Sequence, residues 1–460
     1  MPAITYTFKG LLTENGWLNN ASVSIDESGN IISITQNDTP QGEYINGYTL
    51  PGFQNAHSHA FQYAMAGLAE LHTTTGAQDD FWSWRNAMYS LALTLSPEQM
   101  EAVAAMLYSE MVRHGYTAVA EFHYLHHNKE GRPYANLAEM GERLMAAAQK
   151  AGLRITLVPM FYQQGGFGQA PVEKQKRFIS DTIEEYYKLL NSTITAAAKF
   201  ENANVGIGIH SLRAVKPEDV IALCNALDGS RPFHIHVSEQ LKEIEDCLAF
   251  HGKRPVKWLL DNCPVDENYH LVHATHLDTA EVKGLAESGA SVVLCPSTEG
   301  NLGDGLFNFE TYKNHGGHWS IGTDSHVGLN PLEELRVLDY GQRLISHKRT
   351  TFVTQDSGDS GFNALKMAWQ SGRRAMGAPG ATFFCEGQPF DAVVIKADSP
   401  LIATAAEKNL CNTFIYSTDV SDMLGTIVSG KWINHNGSLQ NRAAIVADFV
   451  TVMRELGTRA

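Results

Sequence analysis

At 460 residues the chain is too long for one small domain but fits a barrel of about 250 to 400 residues plus a modest second module. A composition 43% hydrophobic and 18% charged excludes a disordered chain, and a formal net charge of −15 lacks the basic footprint that nucleic-acid binding requires. The start MPAITYTFKG has no signal-like apolar region and no uninterrupted apolar run reaches the length of a membrane span, so a soluble cytoplasmic protein is expected.

From Ile4 to about Tyr48 the chain reads as short strands, ITYTFKGLL, WLNNASVSID and IISIT, the last two separated by the turn residues ESGN. A different pattern follows. The apolar runs QNAHSH, TAVAEFHYL, LRITLVPMFY, NVGIGIHSL, PFHIHVSE, NYHLVHATHL, ASVVLCP and HWSIGTDS alternate with helical segments such as SPEQMEAVAAMLYSEMVRHG. Strands spaced this way argue for βα units and a parallel sheet. Eight is the number that closes a (β/α)8 barrel, which residues 51–379 are expected to form; an open doubly wound sheet has the same local pattern. Beyond it FDAVVIKA and GTIVSGKWINHNG return to β character, and AAIVADFVTVMREL reads as a terminal helix. The two β segments are too small to stand alone, so residues 1–50 and 380–460 are expected to form one composite β-sandwich domain. The six cysteines show no C-x-x-C spacing and read as buried thiols, and the sequons at Asn37, Asn191 and Asn436 read as chance matches.

Polar residues collect where these apolar runs end. In PGFQNAHSHAFQ the imidazoles of His57 and His59 are two residues apart, so on a strand they project from one face and can converge on one point. His210 ends the fourth run, His236 the fifth with Glu239 just beyond, His273 the sixth and Asp324 the eighth. In a barrel these ends share one face, where the βα loops build an active site. A lone histidine at a strand end is more often a hydrogen-bonding group than a ligand, and His114, His126, His127, His251 and His315 are read that way. The joint pattern of a same-face pair, H-x-x-E, a strand-end His and G-T-D points instead to a metal site.

HSH, HVSE, VHATH and GTDS, in that order, resemble the metal-dependent amidohydrolase superfamily over essentially the whole chain. Where that superfamily carries a metal-bridging carbamylated lysine on the fourth strand, this chain has His210 in GIGIHSLR, so the resemblance is to the single-metal deaminase branch. It implies one divalent ion held by His57, His59, His236 and Asp324. Zinc is favoured, and iron(II) is compatible with the same nitrogen and oxygen donors. It also implies catalytic roles for Asp324 and His273 at the attacking water and for Glu239 at the leaving nitrogen, and leaves His234 structural.

The phrases HSHAFQYAMAGLAE, FWSWRNAMY, EFHYLHH and HSLRAV are more similar to deiminases of linear formimidoyl compounds than to guanine or chlorotriazine deaminases. The substrate implied is a small molecule with two carboxylates, contacted by Gln62, Arg85, Tyr124, His210 and Arg213. Arginine suits that task because its guanidinium binds carboxylate bidentately and keeps its charge. For Arg85 a surface or helix-capping role is the alternative. Gln62, just past the metal pair, can both donate and accept. The turn PSTEGNLGDG either offers backbone N–H groups to a carboxylate or is only a turn. A ring deaminase and a metal-stabilised barrel without catalysis are the contrasting readings. Neither nucleic acid nor membrane is expected as a partner, and a homodimer is expected by base rate.

Overall fold

Strand-forming segments broken by turn residues make residues 4–51 four strands: β1 (Ile4–Thr13), β2 (Gly16–Ile25), β3 (Ile31–Gln36) and β4 (Glu43–Pro51). The computed structural model describes residues 4–68, 70, 81–378 and 382–457. The expected domain boundary between 379 and 380 therefore lies outside the described residues.

The central region supplies β5 (Phe53–Ser58), β6 (Tyr116–His123), β7 (Arg154–Phe161), β8 (Ala203–Val205), β9 (Ile207–Ser211), β10 (Phe233–Val237), β11 (Tyr269–His273), β12 (Ser291–Leu294) and β13 (His318–Ile321). They pair in parallel from β5 to β13, with β8 a short partner of β7 ahead of β9. The run NVGIGIHSL, expected as one strand, is split at Gly206 into β8 and β9. The sheet closes where Thr323 and Asp324 donate backbone N–H groups to the His57 carbonyl, both at 3.0 Å, and the bridge runs on between Ser58 and Asp324. The eight-stranded (β/α)8 barrel is thus sealed by the two sequence motifs expected at the metal. Every residue of β6, β10, β11 and β12 is buried, as strands covered on both faces require.

Helices between the strands carry their own start signals. Pro97–Arg113 begins with a capping box, Ser96 accepting from the Gln99 N–H and Gln99 returning the bond, with Pro97 at the first helical position. Helix Ser360–Ala375 ends under the barrel floor. The Ala375 carbonyl accepts from His234 Nε2, and the Met376 carbonyl just beyond accepts from Thr156 and Asn204, each at 3.0 Å. His234 is therefore used at the end of the barrel opposite the metal motifs.

The chain then returns to the first sheet with β14 (Ala392–Lys396), β15 (Met423–Val428), β16 (Lys431–His435) and β17 (Ser438–Leu439). The strand order is β17-β16-β15-β14-β4-β1-β2-β3, so β4 and β14 join the two chain ends edge to edge. The sheet folds over on itself. β1 and β16 are four strands apart, about 19 Å if flat, yet the rings of Tyr6 and Trp432 lie 6.3 Å apart. Two helices between β14 and β15, Pro400–Thr404 and Leu410–Ser417, interrupt the β character expected there, and helix Arg442–Leu456 follows the sheet. Five cysteines are buried and Cys385 is partly exposed; all are free thiols. Among the described residues no helix is long and apolar enough to cross a membrane.

Candidate active site

The site grows from the carboxyl end of β5. His57 faces the barrel interior, Ser58 turns to the opposite side, and His59 leads into a short 3-10 helix, Ala60–Met65. Glu121 of β6 fixes this turn by accepting from Ser58 Oγ at 2.5 Å and from the Ala60 N–H at 2.6 Å. Burial raises the Glu121 carboxyl to a pKa of about 8. Asn55, one step back on β5, bonds the Thr323 hydroxyl at 2.7 Å and the Thr323 N–H at 3.0 Å, tying the HSH strand to GTDS.

Four side chains then converge. His236 Nε2 lies 3.2 Å from His57 Nε2 and 3.3 Å from His59 Nε2; Asp324 Oδ1 lies 3.0 Å from His57 Nε2 and 3.5 Å from His59 Nε2. Ligands about 2.1 Å from a tetrahedral ion stand about 3.4 Å from one another, so this spacing fits a metal. The tautomers fit as well. His59 Nδ1 faces the Phe122 carbonyl at 3.0 Å and His236 Nδ1 faces the His210 carbonyl at 2.8 Å. Each Nδ1 must carry the proton, which leaves the Nε2 lone pairs aimed at one point. Burial, with neighbouring imidazoles adding to it, holds His57 and His236 well below the usual histidine range; burial also lowers His59, against the pull of Asp324. Neutral imidazoles are the form that ligates.

A ring nitrogen of His273 falls within 4.8 Å of ligand atoms of His57, His236 and Asp324. Burial alone would lower its pKa, but Glu239, Glu299 and Asp324 outweigh burial and push it up to about 10, so the ring is drawn to the carboxylates that flank it. His273 Nε2 is 3.7 Å from Glu239 Oε1 and Nδ1 is 3.3 Å from Glu299 Oε1. Burial raises the Glu239 pKa, with His273 and Arg213 pulling against it. The backbone is unusual at these positions: Ser238, His273, Ala274 and Asp324 all have φ between 44° and 68°. Left-handed non-glycine residues cost about 1–3 kcal/mol each and cluster where function fixes geometry. Asp324 also lies three residues beyond the end of β13, in the turn that closes the barrel, not within the strand.

A cavity opens over the four converging side chains. Its walls include His59, His236 and Asp324, then Glu239 and His273, and also Gln62, Arg85, Tyr124, His210 and Arg213. His57 lies fully buried below. Gln62 Nε2 donates to Tyr124 Oη at 3.2 Å, and Gln62 Oε1 is buried without a partner. Arg85 sits in helix Phe81–Thr94, with its guanidinium 5.0 Å from the Tyr89 ring and a nitrogen 3.5 Å from Tyr162 Oη, so it is a cavity residue and not a cap. Arg213 is 8% exposed, 3.7 Å from Glu243, and its Nε has no partner. Met88 and Tyr89, from the stretch FWSWRNAMY, line the cavity with Tyr162 and Phe178, two rings that sequence reading missed. The segment PSTEGNLGDG is more than a turn: Pro296–Leu302 is a short helix ended by left-handed Gly303.

One glycine is required by close approach. A Cβ on Gly322, in GTDS, would stand 2.7 Å from His57 Cβ, 3.0 Å from His57 N and 3.0 Å from Cys295 Sγ. Gly322→Ala is expected to destabilise the fold by about 1–3 kcal/mol through overpacking and to lower metal occupancy by displacing His57. Denaturant titration and metal analysis of the purified variant would read both; full occupancy at unchanged stability would contradict the packing argument.

A closed parallel barrel with a metal-fitting set of three imidazoles and one carboxylate, and a buried acid and imidazole held back from that set, is the build of a metal-dependent hydrolase. Sequence comparison agrees: residues 48–433 match the amidohydrolase family, and the chain belongs to that family. It is 41% identical to formimidoylglutamate deiminase from Pseudomonas aeruginosa, over 97% of this chain and 98% of that protein. The crystal structure of an amidohydrolase from Brucella melitensis, 39% identical, matches with a TM-score of 0.92 over 98% of this chain and 99% of that one. A zinc-bound adenosine deaminase from Xanthomonas campestris, 20% identical, shares the fold with a TM-score of 0.80 over 99% and 98% of the two chains.

Proposed function

We propose that the protein hydrolyses N-formimidoyl-L-glutamate to N-formyl-L-glutamate and ammonia, using one zinc ion held by His57, His59, His236 and Asp324. The observation that carries the substrate choice is that Arg85 and Arg213 border the same cavity as the four ligands, which suits a small molecule with two carboxylates. The 41% identical relative bears the same activity in its name.

The bound ion supplies Lewis acidity that brings the ionisation of water toward neutral pH. Asp324 accepts the proton as water attacks the amidine carbon. His273, charged between Glu239 and Glu299, holds the attacking oxygen and stabilises the tetrahedral centre. Glu239 delivers a proton to the departing nitrogen, so ammonia leaves and not an amide anion. Gln62, Tyr124 and His210 read the amidine and the carboxylates beside the two arginines. In this reading the enzyme works in the cytoplasm as a homodimer, the commonest form of soluble oligomer. An aromatic wall of Tyr89, Tyr162 and Phe178 favours a ring-amine deaminase as the second reading.

The test is ammonia release from formimidoyl-glutamate, formimidoyl-aspartate, guanine and adenosine, before and after chelation. Release from the first, lost on chelation and restored by zinc, is expected. Silence with the first and brisk release from a purine would overturn the assignment.

A further inference from the structure

The loop after β12 holds two buried carboxylates that the proposed chemistry does not use directly, Glu299 and Asp304. Glu299 lies in the first turn of helix Pro296–Leu302, and its Oε1 makes two contacts: it accepts from the Cys295 N–H at 2.9 Å and stands 3.3 Å from His273 Nδ1. The helix itself is anchored. Thr298 Oγ1 donates to the Thr323 carbonyl at 3.2 Å and pairs with Ser325 Oγ at 3.1 Å, and the Ser297 N–H donates to Glu334 at 2.9 Å. Asp304 closes the loop by donating its N–H to the Glu299 carbonyl at 2.9 Å, and its carboxylate accepts from the Gln240 amide, the residue after Glu239.

On the other side His273 depends on an outside support. Its backbone is left-handed at φ 68°, as is that of Ala274 at φ 51°, and among the described residues the ring's hydrogen bond is the one to Glu299, the Glu239 contact being longer at 3.7 Å. The buried ring stacks on His236 with centroids 5.7 Å apart, which sets its plane, while the hydrogen bond at Nδ1 sets which edge faces the cavity. Glu299 is the group that holds it, and it does so from a helix bolted to the GTDS segment that also carries Asp324.

We propose that Glu299 is a positioning residue for the hydrolytic reaction, fixing His273 through Nδ1 so that Nε2 faces Glu239 and the cavity. The loop PSTEGNLGDG is thereby a clamp on the acid–base pair. The assignment rests on the hydrolysis proposed above and sharpens it.

Because both contacts run to one oxygen, the amide carbonyl of Glu299→Gln can keep them, while Glu299→Ala removes both. With N-formimidoyl-L-glutamate as substrate, Glu299→Ala is expected to lose about 10²-fold in kcat, the usual effect of misplacing a catalytic group by about 1 Å. KM and bound zinc should stay at wild-type levels, and Glu299→Gln should remain within tenfold of wild type. Zinc analysis and thermal unfolding on the same samples separate this from loss of fold. A kcat for Glu299→Ala within threefold of wild type overturns the assignment, as does a loss as large in Glu299→Gln as in Glu299→Ala with zinc retained. If the alanine variant does not fold, Glu299→Asp takes its place, because the shortened side chain cannot reach both the Cys295 N–H and His273: a 10²-fold loss beside a glutamine variant within tenfold upholds the assignment, and equal activity of the two overturns it. Absence of ammonia release by the wild type would instead count against the substrate.

Discussion

Glu239→Gln is expected to lower kcat for ammonia release by about 10²–10⁴-fold, the range for removing a positioned general acid–base group, while the protein keeps its full complement of metal. The two halves of that expectation have separate causes. Glu239 stands outside the four-atom set whose spacings of 3.0 to 3.5 Å fit the ion, and in the cavity it faces His273 Nε2 at 3.7 Å. The amide has nearly the same shape as the carboxyl, so neither the fold nor the ligands should notice the change. What it cannot do is carry a proton between water and the departing nitrogen. Burial raises the pKa of Glu239, which keeps the proton on the carboxyl to a higher pH than an exposed glutamate would and suits it to donate. Unchanged turnover in the variant would reject a catalytic role for Glu239 and leave the barrel as a metal-stabilised scaffold.

The barrel was legible from sequence because its signals are local. Each buried parallel strand reads as an apolar run, and several runs ending on His or Asp in one order along the chain form a joint pattern that burial alone does not explain. HSH and HVSE announce themselves this way, and so does Arg213 by its three-residue spacing from His210. Other parts of the site were invisible for physical reasons. Tyr162 and Phe178 on the cavity wall have the same residue type and local pattern as Tyr186 and Phe161, which stack on each other at 4.9 Å in the core. Left-handed φ at Ser238, His273 and Ala274 is imposed by packing across the barrel and leaves no glycine as a marker. Glu121 was the missed opportunity, a carboxylate in the middle of the apolar run TAVAEFHYL that clamps the turn after His57. The helices between β14 and β15 were hidden by the β-like sequences on either side.

Arg213→Met should lower kcat/KM for N-formimidoyl-L-glutamate by roughly 10²-fold or more, equivalent to about 2–5 kcal/mol for removing one partner of a buried charge pair. Arg213 is 8% exposed, its Nε is unpartnered, and its one ion pair among the described residues, to Glu243, is long at 3.7 Å. A buried cation so loosely paired is short of acceptors, and a substrate carboxylate supplies them. Methionine has a similar reach without charge, so lost packing is a small part of the effect. The substitution also strands Glu243, which accepts the Glu239 N–H at 3.2 Å and whose raised pKa comes from burial, against the pull of Arg213. Adding Glu243→Gln removes that stranded charge and keeps an acceptor for the Glu239 N–H. The double variant should therefore recover stability without recovering kcat/KM. A simple N-alkyl formamidine lacking both carboxylates gives the control, because its turnover should not distinguish wild type from Arg213→Met. Equal turnover of the dicarboxylate by both proteins would mean that Arg213 does not read the substrate, and the ring-amine reading would gain the ground it lost.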